Sequence, residues 1–171
     1  CEFIADYIDA FDFIRQEDLR LADKMVVDLN CNWKFVSENV MDIYHIYAIH
    51  LSSFGGAIDI EAFPFYLRKR GGFSSIYEAA PMVGGEKPVM NRIPWLEERG
   101  DGFSATGFAQ PNLHMFARID QIVPMVSWPL TPTTTRLMIY HMFGKDNFDD
   151  PDFEAKVKKY HDFMDQVVNE D

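Results

Sequence analysis

Apolar and polar positions along the chain fall into stretches of different period. Between residues 1 and 20, Phe3, Ile4, Tyr7, Ile8 and Phe11 recur at helical spacing with acids between them, which predicts an amphipathic segment. Residues 24–30 alternate, with Met25, Val27 and Leu29 on one side, and predict a strand. From Asn32 to His50 the period turns helical. Residues 52–59 are a loop rich in Gly and Ser, and residues 63–79 mix short strands with a turn. Residues 81–102 hold Pro81, Gly84, Gly85, Pro88, Pro94, Gly100 and Gly102, and predict a long irregular connection over a pocket mouth. Residues 102–130 and 133–144 read as consecutive antiparallel strands with the turn at Thr131–Thr135. The last stretch is a helix. Asp150 is its expected N-cap, Pro151 takes the first helical position, and Asp152 and Glu154 complement the dipole. Phe153, Val157, Tyr160, Met164 and Val167 make one apolar stripe along it. Helix, strand, helix, several strands and a long helix together predict an α+β domain.

Composition narrows the functions open to such a domain. A chain of 171 residues suits one domain, and 47% hydrophobic with 15% aromatic residues is enough for a sizeable core and a pocket lined with rings and Met. Phe103, Phe108, Met115, Met125, Trp128, Met138 and Met142 are candidate pocket residues. The net charge of −11 argues against nucleic acid and anionic membrane as partners, since both need clustered Lys and Arg. The basic cluster Arg68-Lys69-Arg70 precedes Gly71-Gly72 and reads as a solvated turn. Cys1 and Cys31 form no C-x-x-C, so a structural zinc site is not expected, and a reduced, cytoplasmic protein fits. No signal peptide and no spanning apolar run occur. The chain begins at Cys1 and ends at Asp171, and is read as a piece of a longer protein.

The chemistry concentrates in "ENVMDIYHIYAIH", residues 38–50, where Asp42, His45 and His50 interrupt an apolar stretch. A buried polar group is costly unless satisfied. A metal ion would satisfy these three, and so would ordinary hydrogen bonds. Asp42 and His45 share a helix face. His45 and His50 are about 140° apart on a regular helix, so both reach one ion only if the helix widens or breaks. At the other end, Asp171 follows Phe153 by five turns of about 3.6 residues and lies on the apolar stripe, whereas Glu170 is rotated off it by about 100°. An acid aimed at the core beside a helix C-terminus is disfavoured by burial and by the dipole, and a cation would relieve both. The alternative is a side chain fraying into solvent. His114 and His141 lie in strand-like segments and His161 on the last helix, and all three read as structural or exposed. Trp33 and Lys34 read as packing and helix-start residues.

The longer segment "NWKFVSENVMDIYHIYAIH" resembles the iron-binding signature of Rieske non-haem iron oxygenases, in the catalytic domain of their α subunit. Asn32, Trp33, Lys34, Glu38, Asn39, Asp42, Tyr44, His45 and His50 agree with it in register. The resemblance implies His45 and His50 as ligands of a mononuclear Fe(II). It implies Asp171, in "VVNED", as the third, matching a family aspartate that follows an acidic residue near the end of a long helix. Asn39 matches a family asparagine close to the iron. Asp42 matches an aspartate thought to bridge toward the histidine-ligated cluster of a neighbouring subunit. The segment "QPNLHMFARIDQIVPMVSWPLTPTTTRLMIYHMF" resembles the family's sheet. The implied fold is a helix-grip, Bet v 1-like arrangement: a curved antiparallel sheet packed on a long C-terminal helix, with a pocket between.

The implied organisation is an N-terminal helical segment, 1–23, leading from a missing upstream domain, followed by an iron catalytic domain over 24–171. The implied activity is dioxygen-dependent hydroxylation, dihydroxylation or dealkylation of an organic substrate. Electrons would come from NAD(P)H through a reductase or ferredoxin and a [2Fe–2S] cluster in the upstream domain, in a homo-oligomer, a trimer for the full-length protein. The sequence departs from the family in lacking the C-x-H and C-x-x-H ligands of that cluster and in having Leu51 where Pro is common. A metal-free module of the same fold, binding a lipid or small molecule, is the alternative. A histidine-ligated zinc hydrolase ranks last because no H-E-x-x-H occurs.

Overall fold

A computed structural model describes residues 5–54, 58, 59, 61, 63–69 and 71–171. Cys1, Phe3, Ile4, Arg70 and the Gly55–Gly56 part of the predicted loop lie outside the described residues, as does the side chain of Ile8. Seven strands, β1 (Leu19–Leu29), β2 (Tyr66–Leu67), β3 (Phe73–Glu78), β4 (Phe103–Ala109), β5 (Leu113–Arg118), β6 (Ile122–Thr131) and β7 (Thr134–Gly144), form one sheet. All neighbours are antiparallel, in the order β1-β7-β6-β5-β4-β3-β2. Helix α1 (Ala5–Phe11) precedes it, α2 (Trp33–Met41) and α3 (Tyr44–Ile49) lie between β1 and β2, and α4 (Phe153–Glu170) follows β7. This is the α+β, helix-grip architecture expected from the sequence.

Strand β1 begins five residues before the predicted stretch, and the helical part of the N-terminal segment ends by Asp18. The reason is a register shift between Leu21 and Asp23 opposite β7, which leaves Ala22 unpaired and breaks the period of two. Helix α4 begins at Phe153, later than expected, with Pro151 and Asp152 in a turn. Asp150 still acts on that turn, because its Oδ1 accepts from the Asp152 N–H at 2.8 Å.

The two sheet faces carry different partners. Cross-strand pairing of His114 with Met125, Phe116 with Val123 and Met125 with Ile139 puts these side chains on one face. There Val123 and Ile139 pack against Met164 of α4. Met164 and Tyr160 are 4% and 2% exposed, and burying one such side chain contributes about 1.5–3 kcal/mol. On the opposite face, Ala105 and Ala117 pack with Tyr7 and Phe11 of α1. Gly107 permits this: a Cβ there would stand 2.8 Å from the Phe11 ring and 2.8 Å from the Phe73 carbonyl oxygen.

Residues 81–102 anchor the core more than they cover a pocket. Val83, Val89 and Met90 pack with Phe143 and Tyr160 near the start of α4, and Ile93 and Leu96 are 0% and 1% exposed in the opposite-face core. Only the first part reaches the cavity, through Met82. At the β2–β3 turn, Arg68 donates to Ser74 Oγ and is half-buried, while Lys69 is exposed. Cys31 is a free thiol. Among the described residues, no helix is long and apolar enough to cross a membrane.

Candidate metal centre

The helical stretch predicted over 32–50 is two helices with a break at Asp42 and Ile43. Asn32 starts α2: its Oδ1 accepts from the Lys34 N–H at 3.0 Å, and its Nδ2 donates to the Pro132 carbonyl at 2.7 Å, tying the helix to the β6–β7 turn. Asp42 ends α2 in extended backbone, φ −91° and ψ 96°. Its carboxylate accepts from the Tyr44 N–H at 2.9 Å, an Asx turn that opens α3. Its carbonyl oxygen accepts from His45 Nδ1. The backbone of Asp42, and not its carboxylate, thus holds the His45 ring, and the Asp42 side chain is exposed.

His50 closes α3 with its N–H donating to the Ile46 carbonyl at 3.0 Å and φ −95°, ψ 27°. The chain leaves helical backbone at this residue, and its ring packs against His45. The two ring centroids are 5.1 Å apart with planes at 77°. Asp171, at the C-terminus of α4, completes the group: one ligand atom each from His45, His50 and Asp171 lie within 4.8 Å of one another. His50 Nε2 is 3.2 Å from Asp171 Oδ1, and Asn39 Nδ2 donates to that same oxygen at 2.9 Å. His50 is 2% exposed.

Helical rotation places Glu170 off the apolar stripe, yet its carboxylate is fully engaged by neighbouring donors. Its Oε2 accepts from His50 Nδ1 at 2.9 Å and from Ser53 Oγ at 2.6 Å. Its Oε1 accepts from Ser52 Oγ and from Gln166 Nε2, the latter at 3.0 Å. The hydroxyls of Ser52 and Ser53, then His50, hold its carboxyl down to about 2. The signal available in the sequence was the hydroxyl pair Ser52-Ser53, two and three residues after His50, which can donate to a nearby carboxylate.

This donor set fits a metal ion. Two imidazoles and one carboxylate are the facial combination that holds non-haem Fe(II) with positions left open. Both Nδ1 atoms are engaged, so Nε2 of each ring is the nitrogen left to coordinate. The last turn of α4 contains no basic residue, so a cation would offset the Asp171 carboxylate at the negative end of the helix.

The centre borders a cavity of about 440 Å³ lined by Phe54, Phe65, Tyr77, Phe116 and Met164 among others. No Lys or Arg is among its described lining residues. Of the seven pocket residues proposed from sequence, Met125 lines it. Phe103, Met115 and Met142 belong to the opposite-face core, Phe108 is buried on the cavity face between the lining residues Phe73 and His114 without lining it, Met138 is not among the lining residues, and Trp128 is 57% exposed. His114 lines the cavity with Nε2 2.9 Å from Thr106 Oγ1, and burial, with the His45 charge as a smaller effect, pulls it down to about 4. His141 lies 3.5 Å from Gln121 Oε1, and His161 pairs with Asp23 at 2.7 Å.

The family model for the ring-hydroxylating alpha subunit, catalytic domain, matches residues 16–171. No curated protein matches the chain. Among solved structures, a quaternary ammonium Rieske monooxygenase described in terms of carnitine oxidation by gut microbiota and inter-subunit electron transfer aligns with TM-score 0.72 at 15% identity. That alignment covers 98% of this chain and 44% of the other. Naphthalene 1,2-dioxygenase from Rhodococcus sp., bound to indole, aligns with TM-score 0.65 at 18% identity over 92% of this chain and 43% of that one. The chain thus spans about two-fifths of the length of these solved structures, and the likeness at such identity concerns the fold.

Proposed function

The chain belongs to the ring-hydroxylating alpha-subunit family, in its catalytic domain, and from that premise we propose that it is the dioxygen-activating part of a mononuclear iron oxygenase. The observation that carries the reading is the convergence of His45, His50 and Asp171 within 4.8 Å at the edge of a largely apolar cavity. These three residues would hold Fe(II). The ion, when bound, supplies open coordination positions at which dioxygen and substrate meet.

The chain's own groups do the rest. Asn39 steadies the Asp171 carboxylate by donating to Oδ1. The Asp42 carbonyl takes the Nδ1–H of His45, and its exposed carboxylate is placed to meet a proton-bearing group of a neighbouring subunit. The cavity excludes water and holds an organic substrate through its rings. Hydroxylation, dihydroxylation and dealkylation are the reactions proposed for it. In the whole protein, electrons from NAD(P)H would arrive through a reductase or ferredoxin and a [2Fe–2S] cluster of an upstream domain, across a subunit boundary in a homo-oligomer such as a trimer. The N-terminal segment, residues 1–23, would lead from that domain, residues 24–171 would be the iron-binding unit, and the location would be cytoplasmic.

Nitric oxide added to the anaerobic ferrous protein tests the open position. The reading expects the axial high-spin signal of an iron–nitrosyl. A protein that takes up no iron and gives no such signal would instead be a metal-free carrier of the same fold.

A further inference from the structure

We propose that Glu170 is the positioning residue that sets how His50 presents itself to the metal. The proposal rests on the metal-site reading above. Glu170 Oε2 accepts from His50 Nδ1 at 2.9 Å, so Nε2, which faces Asp171, is the ring nitrogen left for an ion. The two nitrogens of an imidazole face away from one another. A carboxylate seated at Nδ1 therefore cannot share an ion bound at Nε2, and Glu170 is not a fourth ligand.

Three further donors hold that carboxylate: Ser52, Ser53 and Gln166. Ser52 and Ser53 follow His50 after one intervening residue, Leu51, and Gln166 is one turn earlier on α4. The carboxylate thus clamps the exit of α3 to the end of α4. Both of its oxygens accept two bonds, and its side chain is 14% exposed. The consecutive acids Glu170 and Asp171 divide the work on one ring, one at each nitrogen. His45 is treated differently, because a neutral backbone carbonyl holds its Nδ1. An anionic acceptor makes the opposite ring nitrogen more basic than a neutral one does. His50 is accordingly the stronger imidazole donor of the pair, and Glu170 is what makes it so.

The test uses Co(II) titrated into the metal-free protein, together with nitrogen-15 chemical shifts of His50 in that same protein. Glu170→Ala should weaken Co(II) binding about 10- to 100-fold and shift His50 away from the Nδ1–H tautomer. Glu170→Gln keeps an acceptor and loses the charge. It should retain the tautomer and bind Co(II) several-fold more weakly than wild type. Gln166→Ala removes a donor to Glu170 without touching His50, and should leave the tautomer unchanged. Wild-type affinity in both Glu170 variants, with the tautomer unmoved, overturns the proposal. If Glu170→Ala does not fold, unchanged affinity in Glu170→Gln overturns it alone. Failure of the underlying reading looks different: Asp171→Asn and His45→Ala would then bind Co(II) as tightly as wild type.

Discussion

His50 Nε2 stands 3.2 Å from Asp171 Oδ1, although one residue closes α3 and the other ends the chain after α4. The contact holds only while the short α2–α3 pair and the long helix lie against the same sheet. Metal binding and tertiary structure are therefore linked, and an ion seated there should stabilise the folded chain by mass action.

Asn39 tests how far the centre depends on groups that do not coordinate. Its amide donates to the Asp171 oxygen that also faces His50. Asn39→Ala should leave the fold intact and weaken Fe(II) or Co(II) binding roughly 10-fold, within the usual range for such supporting contacts. Binding at wild-type strength, measured by titration of the metal-free variant, would show that Asp171 needs no such support.

Asp42 should separate metal binding from electron delivery. Asp42→Asn keeps an oxygen for the Tyr44 N–H and leaves the carbonyl on His45 Nδ1 unchanged. The variant is expected to hold iron at the wild-type level. In the oligomeric protein it should turn over about 100-fold more slowly, the lower end of what a positioned proton-handling group contributes. Loss of iron in this variant would mean that Asp42 serves the site only locally.

Acid stability has a readable sign. Burial pushes the Asp120 carboxyl from 3.8 up to about 6, against the opposing pull of the Tyr160 hydroxyl. Its contribution to stability is present at low pH and is lost as pH rises through that window. Burial pulls His141 from 6.5 down to about 4, and His114 likewise. Their contributions are present above 6.5 and are lost as pH falls toward 4. The slopes oppose one another over the same range. Asp120→Asn removes the opposing slope, so denaturation of the metal-free protein should show a steeper loss of stability on acidification from pH 6.5 to 4. The added loss should be roughly 2–3 kcal/mol.

Gly107 tests the packing of α1 on the sheet. A methyl group there meets the Phe11 ring and the Phe73 carbonyl at 2.8 Å. Gly107→Ala should destabilise the chain by about 1–3 kcal/mol in a denaturant titration. An unchanged midpoint would mean that α1 yields without cost.

Much of the architecture and the three converging side chains were legible because each rests on local periodicity or on a contiguous motif. Met164 and Val167 announce the buried face of α4 through 3.6-residue spacing, and Asp171 continues that face to the cavity. Strand β1 was read short because the irregularity at Ala22 destroys the alternation that defines a strand. The pocket was misread because parity along a strand says which residues share a face but not which face meets the cavity. Met115 and Met142 fall on the face covered by α1, while Phe54, Phe63 and Phe65 come from segments without regular period. Glu170 was missed for a related reason. A helical wheel gives the direction of Cβ, but a long side chain can reach a loop that folding brings alongside.

The most direct measurement is the metal content of protein purified without oxygen, wild type against His45→Ala. The account predicts about one iron per wild-type chain and a large loss in the variant, with the sheet and helix content unchanged by circular dichroism. Equal iron in both would contradict it.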